Sequence, residues 1–377
     1  MCFENNRLIM RNSINTILIS GLVIVVLVAG LVFSPIFTGQ SSFTAEATHQ
    51  PCETKHVKLI AGETTVQIAP DNPLTPGGMY YKAMTWNGKI PGPIISVDQC
   101  DTLIITVTNT GAVTHSLDFH AGNGPSNAVG CGNIRPGETK ECTLKADTPG
   151  FFMYHCAGNK VLGIWEHIAN GMYGGIVVHP HEEPKAKEFY MVFGEIYPNS
   201  VAPPNAASFD LSRLKVDNPE VVLTNGMAFK YVPQIGEAPD PVVTLNPSAQ
   251  VFKVKPGELT RWYIVNGGPN DDVAFHFISG LISVHDGFLG MGGTGSGQLG
   301  TQLTNDETWN IPAGSASVIE STFPENGAYI GVDHAMKDVV KGGAFVVVAD
   351  PSSTATDHPR GTMVPPMGSL DVSDNRP

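Results

Sequence analysis

The body of this chain repeats itself, and an internal repeat leaves few architectures open. Ile134-Arg135-Pro136-Gly137 is answered by Ile311-Pro312-Ala313-Gly314, and Pro149-Gly150-Phe151-Phe152-Met153-Tyr154 by Asn326-Gly327-Ala328-Tyr329-Ile330-Gly331, both 177 residues further on. Gly171–Val178 has its counterpart in Val339–Val346, and Asn109 stands before Phe119-His120 as Asn266 stands before Phe275-His276. The repeated unit is β. In Asp101–Asn109, Leu103, Ile105 and Val107 share one face of an extended segment; Gly174–Val178, Val251–Asn266 and Gly343–Val348 are similar runs. Pro-Gly pairs beginning at Pro76, Pro91, Pro136, Pro149 and Pro256 punctuate them, as in a β-sandwich or barrel.

The expected organisation is an N-terminal segment over 1–37, a linker over 38–52, a first β-domain over 53–182, a connecting stretch over 183–218, a second β-domain over 219–350 and a Pro-rich tail over 351–377. With 42% hydrophobic residues the chain can fill two cores, and its net charge of −13 argues against a nucleic-acid surface.

Ile14–Phe33 is predominantly apolar, with no charge between Arg11 and Glu46. That length can span a bilayer with Arg7 and Arg11 on the cytoplasmic side, and the preferred reading is an uncleaved anchor. The alternative is a cleaved signal ending near Ala45-Glu46-Ala47, and either one exports the body. Cys52, Cys100, Cys131 and Cys142 then suit two disulfides, with a lean towards Cys131–Cys142 across the Arg135-Pro136-Gly137 turn. Cys156 is left over, and an unpaired exported thiol calls for a chemical reason.

That reason lies in the residues around it. His115, Cys156, His167 and Met172 are two imidazoles, a thiolate and a thioether, the donor set of a blue-type copper. Taken singly, Met172 reads as core and His167 as a surface histidine; together they read as ligands. Strand parity separates the other histidines. If Cys156 turns towards the thiolate site, His155 turns away. His115 and His120 are five apart and face opposite ways, and Asp118 sides with His120. Two sites follow, one with Cys156 and one with His155, His120 and a carboxylate. In the second half His276 matches His120 and His334 lies near the position of His155, while no cysteine follows Cys156.

Over Glu53–Ala349 these motifs (H-x-x-D-x-H, Tyr-His-Cys and His-x4-Met, in that order) resemble the copper-containing nitrite reductases. The resemblance implies an all-β chain of two tandem cupredoxin-like Greek-key sandwich or barrel domains; the N-terminal transmembrane or signal helix read above stands in front of them and is not a general feature of the family. It implies two coppers per chain, a type 1 copper on His115, Cys156, His167 and Met172 and a type 2 copper on His120, His155 and a neighbouring subunit's His334. It also implies Asp118 and His276 as the acid–base pair, Ile278 crowding the substrate, and a homotrimer fed by a small cupredoxin or c-type cytochrome. The reaction is then the one-electron reduction of nitrite to nitric oxide and water, in the periplasm or another extracytoplasmic space. Two departures stand out: the loop after Cys156 is long and reads Ala157-Gly158, and Trp165 precedes Glu166 instead of abutting His167.

Rival readings are a two-domain multicopper oxidase and a non-enzymatic type 1 copper carrier. His179-Pro180-His181 invites the first, but one H-x-H pair cannot build a trinuclear cluster, and both histidines are expected to be exposed. His49, His56, His285 and His358 are read the same way. The G-x-G-x-x-G match at Gly290–Gly295 lacks a following helix and is not read as a nucleotide site.

Overall fold

The computed structural model describes residues 51–122, 131–158, 164–235, 244–246, 249–286, 301–354 and 363–364. The Ile14–Phe33 segment, Cys2, His49, His358 and the Gly290–Gly295 match lie outside them. Among the described residues no helix is long and apolar enough to cross a membrane.

Two β-sandwiches of the same topology make up the body. In the first, one sheet runs in the order Ala206–Ala207, Met79–Trp86, Thr54–Ala69, Thr102–Asn109, Thr139–Lys145. Its companion runs Met363–Val364, Ile94–Asp98, Tyr173–His179, Gly150–His155, Asp118–Phe119. In the second, Val221–Thr224, Lys187–Ile196, Leu259–Asn266 and Ser315–Thr322 repeat the core of the first sheet. Phe252–Val254, Ala344–Ala349, Gly327–Asp333 and Val273–Phe277 repeat that of the second. The pairing repeats too: Thr54–Ala69 is parallel to Thr102–Asn109, as Lys187–Ile196 is to Leu259–Asn266. The sequence repeat is thus a repeat of strand order.

Alternation explains the cores. Leu103, Ile105 and Val107 are fully buried while Thr102, Ile104, Thr106 and Thr108 are only partly so, as a one-sided strand requires. Gly150–His155 is buried on both faces. Phe152 and Tyr154 point into the first core with Cys156. Phe151 and Met153 point the other way, into a third cluster with Tyr190, Tyr263 and Val265 that joins the two sandwiches. The second core is aromatic, built on Trp262, Phe252, Phe275, Phe277 and Phe345.

Several details differ from expectation. The stretch 183–218, expected as a connection, contains the strand Lys187–Ile196, which is paired on both sides and buried along nearly its whole length. Its run Phe189–Phe193 lacks alternation because both faces are covered. Val251–Asn266 is two strands, broken where Gly257 turns with φ +75°. The tail contributes a short strand, in which Met363–Val364 pairs with Ile94–Ile95. His179 and His181 are not exposed: His179 is 1% accessible and His181 is half-buried. His285 is also largely covered, against Glu320, and His56 is exposed as expected. Cys131 pairs with Cys142 and Cys52 with Cys100.

Candidate metal centres

Three chain segments converge on Cys156, the free cysteine among the described residues. His115 is held by a two-way bridge, its N–H donating to Ile134 O (3.0 Å) and its carbonyl accepting from Ile134 N (2.7 Å). The short helix Ile164–Ala169 supplies His167. Met172 closes the loop, its carbonyl accepting from Cys156 N (3.0 Å) and its N–H donating to His167 O (3.1 Å). Cys156 and Met172 are fully buried in the first core, and His115 and His167 are buried beside them.

Cys156 Sγ lies 3.1 Å from His167 Nδ1 and 3.7 Å from His115 Nδ1, and the two Nδ1 atoms are 3.2 Å apart. Donors that share one ion at roughly 2.0–2.3 Å stand at such separations from each other. The Ser116 N–H (3.2 Å) and the Gly158 N–H (3.4 Å) point at the sulfur. Burial nonetheless pushes the thiol up to about 11, so thiolate formation is tied to metal binding. Burial lowers His115 below the ordinary imidazole value, and burial with His115 alongside lowers His167 to about 4. Both rings are therefore neutral and ready to ligate.

The next residue back serves the opposite face. Asp118 sits across from His155 in the antiparallel pair, and Phe119 across from Tyr154. His120 N donates to Met153 O (3.0 Å), which brings His120 Nε2 to 3.1 Å from His155 Nε2. His155 Nδ1 bonds the Cys156 carbonyl at 3.2 Å, so its proton sits there and Nε2 keeps its lone pair. Asp118 Oδ2 is 3.6 Å from that Nε2. Burial lowers His155, and desolvation with His155 alongside lowers His120 to about 4 although part of that residue is exposed.

In the second sandwich Ala274, His276 and Ile278 share the outward face, alternating with buried Val273, Phe275 and Phe277. His276 Nδ1 lies 2.6 Å from Glu307 O, and its ring centroid is 5.1 Å from that of His334. Asp333 Oδ1 accepts from Ala274 N (2.9 Å) and Ala335 N (3.1 Å), and His334 N donates to Ala274 O (2.7 Å), so an exposed histidine is held by a pinned backbone. Ile278 is 40% exposed, with its N–H on Ile330 O. The structure groups His115, Cys156 and His167, and separately Asp118, His120 and His155, while neither group includes His276 or His334.

One neighbour of these residues carries no signal in the sequence. Glu63 Oε1 is 3.1 Å from His115 Nε2, across 52 positions of chain, and Glu63 Oε2 accepts from Ala112 N (2.8 Å). Burial pushes the Glu63 carboxyl up, but the Ala112 N–H and His115 outweigh it and hold the group below the ordinary value.

The family described as multicopper oxidase matches residues 68–183. The curated copper-containing nitrite reductase of Alcaligenes faecalis is 32% identical over 288 residues, covering 71% of this chain and 69% of that protein. This chain belongs to the copper-containing nitrite reductases. The relative from Neisseria gonorrhoeae is 33% identical over 275 residues, 71% of this chain but 63% of that protein, so the match spans less than two thirds of its length. A solved copper nitrite reductase from Nitrosomonas europaea superposes with a TM-score of 0.67 at 32% identity, covering 82% of this chain and 99% of that one. Copper also suits both donor sets: a thiolate with imidazoles is a soft, strongly copper-binding combination, and paired neutral imidazoles bind copper well.

Proposed function

We propose that this chain reduces nitrite to nitric oxide and water, taking up one electron and two protons. The observation that carries the proposal is that consecutive residues, His155 and Cys156, enter two different donor groups. His115, Cys156, His167 and Met172 would hold a type 1 copper. His120 and His155 would hold a type 2 copper together with His334 from a neighbouring copy. A shared site gives the family's homotrimer a physical motive here, because His334 is exposed and belongs to neither group. Bound copper supplies one-electron redox chemistry at the first set and an open, electrophilic position at the second.

The chain's own groups then divide the work. Cys156 and His155 give the electron a covalent path one peptide long. Asp118, beside the paired imidazoles, hydrogen-bonds nitrite and delivers a proton to its oxygen. His276, brought in beside His334 by the neighbouring copy and with Nδ1 committed to Glu307 O, uses Nε2 to hold the second proton and pass it through water. Ile278, just past the end of that strand, narrows the space over the substrate. The electron comes from a small cupredoxin or c-type cytochrome, and the chain works in the periplasm or another extracytoplasmic space, anchored through Ile14–Phe33.

Metal analysis and paramagnetic resonance of the copper-loaded full chain test this reading. Two coppers per chain, with distinct type 1 and type 2 signals and a nitrite-dependent change in the second, are expected. One copper and no response to nitrite would leave an electron carrier, and a magnetically coupled cluster would indicate an oxidase.

A further inference from the structure

Glu63 stands on the long strand Thr54–Ala69, opposite Met84, and has no place in the ligand motifs. Its side chain is 35% exposed, yet both carboxylate oxygens are committed inward. Oε1 meets the far nitrogen of His115, and Oε2 is held by the Ala112 N–H. The fit depends on the residue between: a Cβ on Gly111 would lie 2.5 Å from Oε2 and 2.8 Å from Oε1. A strand, a loop amide and a glycine therefore aim one negative charge at one imidazole.

We propose that Glu63 is a positioning residue for the Cys156 site: it fixes the tautomer of His115 and, by its charge, lowers the reduction potential of the copper held there. The inference rests on the reading that His115 ligates a type 1 copper. Its physical basis has two parts. Donating Nε2–H to Glu63 leaves the lone pair on Nδ1, the atom that faces Cys156 Sγ and His167 Nδ1. A carboxylate also stabilises the more positive, oxidised state of the centre more than the reduced one, and a short imidazole link delivers that preference. The device sets how readily the site gives its electron onward to His155.

The test separates orientation from charge. In the copper-loaded full chain, Glu63→Gln keeps an acceptor for His115 and removes the charge. The visible absorption should persist, while the reduced form is favoured about tenfold, a rise of ~59 mV for one electron. Glu63→Ala removes both and should weaken copper binding at this site about 10–100-fold. If Glu63→Gln fails to fold, Gly111→Ala displaces the carboxylate at a backbone without positive φ and should raise the potential in the same direction. An unchanged potential in a folded Glu63→Gln or Gly111→Ala protein overturns the proposal. Wild-type protein that never develops thiolate-to-copper absorption overturns the type 1 reading itself, a failure visible before any variant is made.

Discussion

Asp118 and His155 lie directly opposite one another in the antiparallel pair that ends at the metal centres, with Asp118 Oδ2 3.6 Å from His155 Nε2. The carboxylate is half-buried and the imidazole buried. Strand pairing, rather than a flexible loop, therefore sets the distance between this carboxylate and this imidazole.

Asp118→Asn keeps the size and the strand pairing but removes the transferable proton. Turnover of nitrite should fall by about 10²- to 10⁴-fold, the usual worth of a positioned acid–base group. Copper content should stay at the wild-type value, because the asparagine leaves both imidazoles in place. Steady-state kinetics with metal analysis on the same preparation checks this, and full activity would remove Asp118 from the mechanism.

Cys156→Ala should abolish the visible absorption and one of the two coppers, and leave the other. The sulfur is fully buried among His115, His167 and the amides of Ser116 and Gly158, whereas the His120–His155 pair faces the other side of the strand. Reduction of nitrite by a protein donor should drop to background while nitrite still perturbs the remaining copper signal. Loss of both metals would show that the two centres are not separable.

The parity of neighbouring residues makes the two donor groups legible in the sequence: adjacent side chains on a strand must part, and here they part into two groups. The repeat made the second sandwich legible for the same reason, since strand order follows repeated turns. Glu63 was not legible, because its bond to His115 crosses 52 residues and nothing in its local pattern differs from an exposed strand glutamate. His179 misled in the opposite direction. Its motif suggests a surface pair, but Ser96 Oγ at 3.2 Å, 83 residues away in the chain, and Glu183 at 2.9 Å, four residues on, enclose it. Lys187–Ile196 is hard to tell from a connection because a strand buried on both faces shows no alternation to read.

His179 belongs to a buried charge cluster that joins the sandwiches. Arg261, 1% exposed, donates through Nη1 to Glu183 (2.9 Å), through Nε and Nη2 to Glu320 (2.8 and 2.7 Å) and through Nη2 to Pro184 O (3.1 Å). Burial pushes Glu320 up, but His285 and Arg261 outweigh it and hold the carboxyl at about 2. Arg261→Met would leave Glu183 and Glu320 without their cation, and removing one partner of a buried pair costs about 3–5 kcal/mol. Denaturant unfolding should show that loss, with copper spectra at low denaturant unchanged. A cost under about 1 kcal/mol would mean that the carboxylates simply take up protons.

Glu195 gives the fold a pH dependence of its own. Its carboxyl is 3% exposed, and burial pushes it up to about 7, against hydrogen bonds from Tyr197, Asp271 N and Asn270 N. The surrounding titratable groups include Tyr173, Tyr197, Asp217 and Asp271, the last paired with Lys337. Tyr197 Oη touches Glu195 and also Asp217, at 3.0 Å, yet carries a single proton. A second proton on Glu195 satisfies both contacts. Below about pH 4.5 both the folded and the unfolded chain hold that proton, and the full contribution to stability is present. Between about 4.5 and 7 the unfolded chain has released it while the folded one has not, so stability falls as pH rises, by on the order of 3 kcal/mol in all. Asp333, pushed by burial to about 6, adds a slope of the same sign. Glu195→Gln should remove the Glu195 share, because the amide donates to Tyr197 Oη at every pH while Tyr197 donates to Asp217. Unfolding free energies at pH 5 and pH 8 in wild type and variant check this. The variant should narrow the gap between the two and be the more stable protein at pH 8, and an unaltered gap would mean that Glu195 titrates as an ordinary carboxylate.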